Sequence, residues 1–459
     1  MQEENKGPHT EVGNTGQHRE ARGSDLSPGL ARVAARARSQ PKEAFNSLMH
    51  HLTTGLIREH LNKMPSRTGT GEDEMTVDQA RKNLDWLLPP IMEQVHQGKY
   101  EAPPVRRVYI PKVDGSQRPI GIPTVIDRAI QGSVAKILEQ IYERDFQKVS
   151  FGFRPGIGCH QALATVGELV QNRKLYYALE VDIRDFFGSL NHEWLRKFVG
   201  LRCGDKRMLK LIDSWLGAGA MESGQWQVSE QGTPQGGSIS PLLANIYLHY
   251  VLDLWWEKKI KRRLKGASHL VRYADDFVIL FAEKSEAEEA LKLIRFRLEQ
   301  FGLGVAEEKT RITDLTPRVN GGGERRRITF LGMNIFLSLN RKKTGWKVVY
   351  QTEGKRFGRA KTRLKERMRN FMHRNLEEQA KAINQFLVGH FNYYGLPGNS
   401  RKLVALRTAA VLLWRRCLSR RSQRGATDWE KMTEILNQYP LRQPRLKITY
   451  GGLHSYAML

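Results

Sequence analysis

Cysteine is nearly missing from this chain. Its 459 residues hold three, Cys159, Cys203 and Cys417. They lie far apart and form no CxxC pair, which excludes a disulfide framework, fits a reducing compartment and argues against a zinc site. No apolar run reaches the roughly 18 residues of a membrane span. The opening stretch MQEENKGPHTEVGNTGQHRE lacks the apolar core of a signal peptide and any lipidation signal. No internal repeat is present. The one Gly-rich loop that precedes a helix has neither Walker-A nor GxGxxG spacing. Acidic residues are in deficit, with 48 Asp+Glu against 74 Lys+Arg, a formal net charge of +26. That excess calls for a polyanionic partner, nucleic acid or an anionic membrane surface. The length allows about two to four domains with at least one sizeable core.

What is present is organised around His269–Ala282, HLVRYADDFVILFA. Leu270–Tyr273 and Phe277–Phe281 are apolar, β-rich runs joined across Ala274-Asp275-Asp276, a predicted hairpin with two adjacent carboxylates at its tip. Two charges among strand formers are costly unless each finds a partner. A polar turn is one reading. The other is a pair of divalent cations, which carboxylates, waters and substrate phosphates hold together. A further acid, Asp182, stands near the end of a strand predicted over Tyr177–Ile183, in YYALEVDIRDFF. Only the fold can bring it to the hairpin.

Residues 1–40 read as a disordered basic tail in which Leu30–Arg38 can turn helical on an anion. Helical spacing marks Ala44–Leu61, Thr76–Gln97, Thr124–Phe146, Cys159–Gln171, His192–Phe198 and Lys206–Leu216. Val105–Ile110 and Gln117–Ile122 predict a hairpin turning at Asp114-Gly115. Lys112 and Arg118 beside that turn are either solvated charges or ligands for a triphosphate, Arg by a bidentate fork. Ser150–Gly158, with Arg154, is a plain loop or a contact for a nucleobase or backbone. A short hairpin is expected around Glu222-Ser223-Gly224. In QGTPQGGSISPLLANIYL, Ser240 is the expected N-cap and Pro241 the first residue of an apolar helix. Ser285–Phe301 is an amphipathic helix capped by Ser285. A strand near Lys309–Arg311 and a hairpin in ITFLGMNI follow. From residue 354 onward 22 Lys+Arg face 6 Asp+Glu on helices marked by Leu364 and Met368, Ile383 and Leu387, and Leu406 and Trp414, with a shorter helix over residues 427–437. Like charges this dense repel unless neutralised, which favours a phosphate-binding groove over a merely solvated surface.

As an ordered set these segments resemble the reverse transcriptases encoded by bacterial group II introns, also called intron maturases. The resemblance rests on Tyr273-Ala274-Asp275-Asp276, Asp182 in VDIRDFF, residues Pro234–Pro241 (PQGGSISP), Arg118–Pro123 (RPIGIP), Lys309-Thr310, Phe330-Leu331-Gly332 and His390–Gly395 (HFNYYG). It runs in register from about residue 45 to the end of the chain. It implies an α+β right-hand polymerase, with an N-terminal extension and fingers over 41–175, an antiparallel palm over 176–345 and a helical thumb, or domain X, over 346–459. Asp182, Asp275 and Asp276 would be catalytic and hold two Mg²⁺ ions. Lys112 and Arg118 would grip the triphosphate of a dNTP, Phe187 would lie under its sugar, and Gln235 near the sugar and template pair. Phe330, Leu331 and Gly332 would belong to the primer grip. Arg363, Arg367, Arg415 and Arg416 would contact RNA from the thumb.

The implied activity is RNA-directed DNA synthesis on an RNA template with a DNA primer, joined to binding of group II intron RNA in splicing and mobility. The implied setting is the bacterial cytoplasm, associated with RNA or the nucleoid, with no membrane and no obligate protein partner. No HNH-type His, Asn and Cys cluster follows the thumb residues, so DNA cleavage by the chain is not expected. Two alternatives stand beside this reading: an RNA-binding splicing cofactor with an idle polymerase, and a free-standing reverse transcriptase adapted to repair or defence. In each case, RNA binding through many phosphates releases many counterions. Affinity measured by filter binding should therefore fall by about 10³-fold or more between about 50 and 200 mM salt. An affinity unchanged over that range contradicts the charge argument.

Overall fold

The structure is a computed structural model and describes residues 26–111, 117–222, 225–227, 232, 236–317, 326–421 and 426–459. Its first elements are helices α1 (Pro28–Ser39), α2 (Thr54–Lys63) and α3 (Val77–Gln97), strands β1 (Val105–Pro111) and β2 (Gln117–Ile122), and helices α4 (Val125–Asp145) and α5 (Cys159–Gln171). Strand β3 (Tyr177–Arg184), helices α6 (His192–Gly200) and α7 (Lys206–Gly217), strands β4 (Ala220–Glu222) and β5 (Gln225–Gln227) and helix α8 (Ser240–Leu248) follow. The chain continues through π-helical turns at His249–Asp253 and Trp256–Ile260. Then come β6 (Ser268–Tyr273), β7 (Asp276–Phe281), α9 (Lys284–Glu299), β8 (Gly304–Val305), β9 (Arg311–Asp314), β10 (Ile328–Phe330), β11 (Met333–Leu339) and β12 (Trp346–Thr352). The last elements are α10 (Gly354–Asn370), α11 (Leu376–Tyr394), α12 (Ser400–Ser419), α13 (Trp429–Gln438) and α14 (Leu453–Tyr456). The mixture of helices with mostly antiparallel sheets is the expected α+β class.

Two compact units interleave along the sequence. One takes the described residues up to Phe146 together with Phe153–Ile157 and Phe187–Tyr247. Its sheet runs β2-β1-β4-β5, with β4 joining β1 in parallel. Helix α1 corrects the expected tail. Ser27 accepts from the Leu30 amide, Pro28 opens the first turn, and Leu30, Val33, Ala34 and Ala37 bury one face against α4. Apolar residues at helical spacing hold this segment without an anion. A second correction concerns Ala44–Leu61. Only the part from Thr54 onward is an α-helix, because the Leu48 and Met49 amides donate instead to the Asp205 carboxylate, at 2.8 and 2.9 Å, and Phe45 bridges to Cys203. Helix α3 starts as expected, with Thr76 and Gln79 forming a reciprocal capping box.

The second unit holds Gln147–Gly152, Gly158–Phe186 and Leu248–Leu459. Its main sheet runs β6-β7-β3-β8, with β9 also pairing with β3. Helices α5 and α9 pack on it. Helix α9 begins one residue before Ser285, and Glu283 at its N-cap makes no side-chain capping bond, so Ser285 is not the expected cap. Strands β10-β11-β12 form a second sheet; β12 was not among the strands expected from the sequence. Helices α10–α13 share a core of Leu364, Ile383, Leu387, Leu406, Trp414 and Met432. Trp414 donates its indole N–H to Gln379, whose amide donates to the Met372 and Arg374 carbonyls, so the buried polar groups are paired.

In the first unit Asp127 is buried and accepts from Tyr100 at 3.0 Å and Trp215 at 2.9 Å. Burial pushes its carboxyl up to about 6, against the opposing effect of those two donors. An acid raised in the folded state adds stability below its unfolded pKa and loses it as pH rises through the folded value. The stability of Asp127→Asn relative to the native chain should therefore increase between about pH 4 and pH 7. A difference that stays constant in denaturant titrations across that range contradicts this.

Candidate active site

Strand β3 is central because its even-numbered side, Ala178, Glu180 and Asp182, and its odd-numbered side, Leu179, Val181 and Ile183, alternate across a fully paired ladder. The β3–β7 register sets Asp182 opposite Asp276. Residues directly opposed across antiparallel strands point to one face. Tyr273 also pairs with Asp276, which closes the β6–β7 hairpin through a loop of Ala274 and Asp275. Ala274 adopts a left-handed backbone, φ 57°, an uncommon conformation for a residue with a Cβ. The fold thus brings all three expected acids to one strand end.

Their charges act on one another. Burial, then the neighbouring Asp275 and Asp182 charges, push the Asp276 carboxyl up to about 7, with Glu180 adding to the rise. The Leu331 backbone N–H donates to Asp276 and opposes it. Lys309 places its Nζ 2.6 Å from Asp182 Oδ2, and the pair is partly exposed. Among the described residues no three His, Cys, Asp or Glu side chains stand together as a ready ligand set. The donor chemistry nonetheless suits a hard divalent cation, which carboxylate oxygens bind and whose charge relieves like-charge repulsion.

The Phe330-Leu331-Gly332 segment meets this site directly. Leu331 and Gly332 form the turn between β10 and β11, with φ of 49° and 76°, as a primed two-residue hairpin turn requires. The Leu331 carbonyl accepts from the Tyr393 hydroxyl at 3.1 Å, and the Gly332 carbonyl from the Glu353 amide at 3.1 Å. Phe330 is buried beneath. The turn is therefore pinned by Asp276, Tyr393 and Glu353. The sequence marked Phe330-Leu331-Gly332 but not Tyr393 as its anchor, since a contact between residues so far apart in the chain leaves no periodic signal.

The other expected residues fall differently. Arg118 is exposed on β2, across from Ile110. Phe187 is half-buried just beyond β3. Lys112 and Gln235 lie outside the described residues. Gly236 packs so closely on the Gly121 carbonyl that a Cβ could not fit, which explains one glycine of the PQGGSISP box. Arg154 fits the plain-loop alternative: its guanidinium binds Glu143 through three contacts of 3.1–3.3 Å and is buried, so it is not offered to a nucleobase. Arg363 and Arg416 are exposed, and Arg367 is exposed with its guanidinium near the Phe386 ring. Arg415 is half-buried, stacks 4.5 Å from the Trp429 ring centre and donates to the Thr427 carbonyl, contacts that fix its guanidinium without cancelling its charge. Arg416 instead lines a groove between α10 and α12 with Lys361 and Lys365, over a floor of Ala409, Leu412 and Leu413. The two lysines were missed, although their spacing of four on a basic helix is the signal for a shared face.

Comparison with known proteins adds the following. The profile of the family described as reverse transcriptase (RNA-dependent DNA polymerase) matches residues 110–335, a span that includes all three acids. The chain is 34% identical to protein YkfC of Escherichia coli K12 over 277 residues, covering 54% of this chain and 71% of that protein. It is 31% identical to the group II intron-encoded protein LtrA of Lactococcus lactis over 345 residues, covering 62% of this chain and 57% of LtrA. It is 28% identical over 330 residues to an uncharacterized 91 kDa protein in the cob intron of Schizosaccharomyces pombe, covering 61% of this chain and 40% of that protein. The match thus spans little more than half the length of the Lactococcus relative.

At Gly332, with φ 76°, an added Cβ would also press on the Arg356 side chain. Gly332→Ala is expected to lower stability by about 1–2 kcal/mol through the left-handed backbone alone. Denaturant unfolding measures this, and a neutral substitution would mean the turn adopts another conformation.

Proposed function

This chain belongs to the reverse transcriptase family, alongside the group II intron-encoded proteins, and we propose that it extends a DNA primer on an RNA template. The observation that carries the reading is the register that sets Asp182 opposite Asp276 with Asp275 in the adjoining turn, inside the span the family profile matches. Asp182, Asp275 and Asp276 would hold the divalent metal, Mg²⁺ in two positions. Such a pair, when bound, stabilises the attacking and leaving oxygens of an in-line displacement at phosphorus. Asp182 would join them once its partly exposed contact with Lys309 opens, which costs little because exposed ion pairs are weak. The Leu331 N–H orients Asp276, and Phe330, Leu331 and Gly332 would steady the primer end.

Arg118 with Lys112 would take the triphosphate, Phe187 would lie against the sugar, and Gln235 near the template pair. The fingers would occupy 41–175, the palm 176–345 and the thumb 346–459. On the thumb, Lys361, Lys365 and Arg416, with Arg363 and Arg367 on exposed turns, form a basic surface for RNA phosphates. Intron RNA is the partner this reading favours, with assistance to splicing and mobility as its consequence. Arg415, half-buried against Trp429, would add its charge at the edge of that surface.

Primer extension on an RNA template with dNTPs and Mg²⁺ tests the assignment. Native protein should extend the primer. Asp275→Ala and Asp276→Ala should each lose about a thousandfold or more, the scale of several kcal/mol of metal-borne stabilisation. Extension that survives both substitutions, or that the native protein lacks, overturns it.

A further inference from the structure

Directly behind the acidic turn lies a buried ion pair that the chemistry above does not use. Arg272 stands on β6 and Asp253 in the π-helical turn His249–Asp253, and both side chains are fully buried. Arg272 Nε lies 2.8 Å from Asp253 Oδ1 and Nη2 lies 2.5 Å from Oδ2, a two-pronged fork. Nη2 also donates to Ser150 Oγ at 2.7 Å, and Nη1 donates to the Ala274 carbonyl at 2.9 Å. The Arg272 backbone is held as well. Its N–H donates to the Val149 carbonyl, and its carbonyl accepts from the Phe151 amide, both at 2.8 Å. Gly152 then packs against the Ala274 nitrogen, leaving no room for a Cβ.

One guanidinium therefore joins a helix, a backing segment and the strained residue that precedes Asp275. Removing two charges from water is expensive, and a buried pair is often no more stabilising than apolar residues of similar volume. Fold stability is thus a poor reason for this arrangement. Its geometric product is specific: the carbonyl of left-handed Ala274 is fixed, and with it the direction in which Asp275 and Asp276 leave the turn. The π-helical turn contributes because its altered register is a local device that re-aims a side chain, and such turns concentrate near functional sites.

We infer that Arg272 and Asp253 are positioning residues that hold the Ala274-Asp275 turn in its working conformation. The inference rests on the polymerase reading for its consequence in rate, but not for its consequence in structure. The test uses the full chain and two variants. Arg272→Met combined with Asp253→Leu replaces the pair by apolar bulk. Arg272→Lys keeps a cation beside Asp253 but cannot also reach Ala274 through a planar fork.

For the double variant, the melting temperature should equal or exceed the native value. Amide exchange at residues 273–276 should rise by about tenfold or more. The turnover rate should fall about 10- to 100-fold, as expected for misplaced reacting groups. The KM for dNTP and the affinity for primer–template should stay within about twofold of native. Arg272→Lys should show the same rise in exchange and fall in turnover, with a lowered melting temperature because buried Asp253 loses part of its fork, and it decides alone if the double variant does not fold. Native exchange and native turnover in a folded variant overturn the inference. So does a variant that melts far below the native chain while its turn exchanges and turns over normally, since the pair would then brace only the fold. If the native chain extends no primer, the polymerase reading fails and the exchange measurement still decides the clamp.

Discussion

Carboxylates crowded at one strand end repel each other, and much of the surrounding structure answers that repulsion. Asp182 and Asp276 face each other across the β3–β7 ladder with Asp275 one residue away. Burial and the neighbouring Asp275 and Asp182 charges together push the Asp276 carboxyl up to about 7. The neighbours supply what positive potential a protein can offer: the Lys309 ammonium on Asp182 and the Leu331 amide on Asp276. Crowded carboxylates of this kind favour a bound cation, and the proposed metal chemistry rests on that preference.

Holding such a cluster in place needs restraint from outside it. Two left-handed residues with side chains, Ala274 and Leu331, sit at the two turns involved. Each has its carbonyl fixed by a side chain, that of Arg272 two residues back on β6 in one case and that of Tyr393 far along the chain in the other. Backbone conformations of this kind cost free energy and persist where surrounding contacts over-determine them. Tyr393 belongs to α11, so a helix of the basic module reaches the turn that donates to Asp276. The same module presents Lys361, Lys365 and Arg416 in a groove, which places the proposed RNA-binding face and an anchor of the acidic site in one unit.

Much of this was legible from residue patterns. The apolar, β-rich runs Leu270–Tyr273 and Phe277–Phe281 define β6 and β7, and the break at Ala274-Asp275 marks the loop between them. Helices α4 and α5 follow their apolar spacing closely. What could not be read was set by tertiary competition. Asp205 takes the amides that would have extended a helix through Leu48 and Met49. Glu143 pairs with Arg154, whose charge looks available in the sequence. Asp253, Arg272 and Tyr393 gave no signal as parts of the site, because buried polar contacts across a fold have no period. The meeting of Asp182 with the twin acids was a requirement of the chemistry before it was an observation.

The central claim is that the three acids share divalent metal. Crystals of the full chain soaked in Mn²⁺ and measured for anomalous scattering address it most directly. The account predicts peaks within coordination distance of Asp182, Asp275 and Asp276, with Lys309 displaced from Asp182. Anomalous density absent from this strand end at saturating Mn²⁺, with the Lys309–Asp182 contact intact, would contradict it.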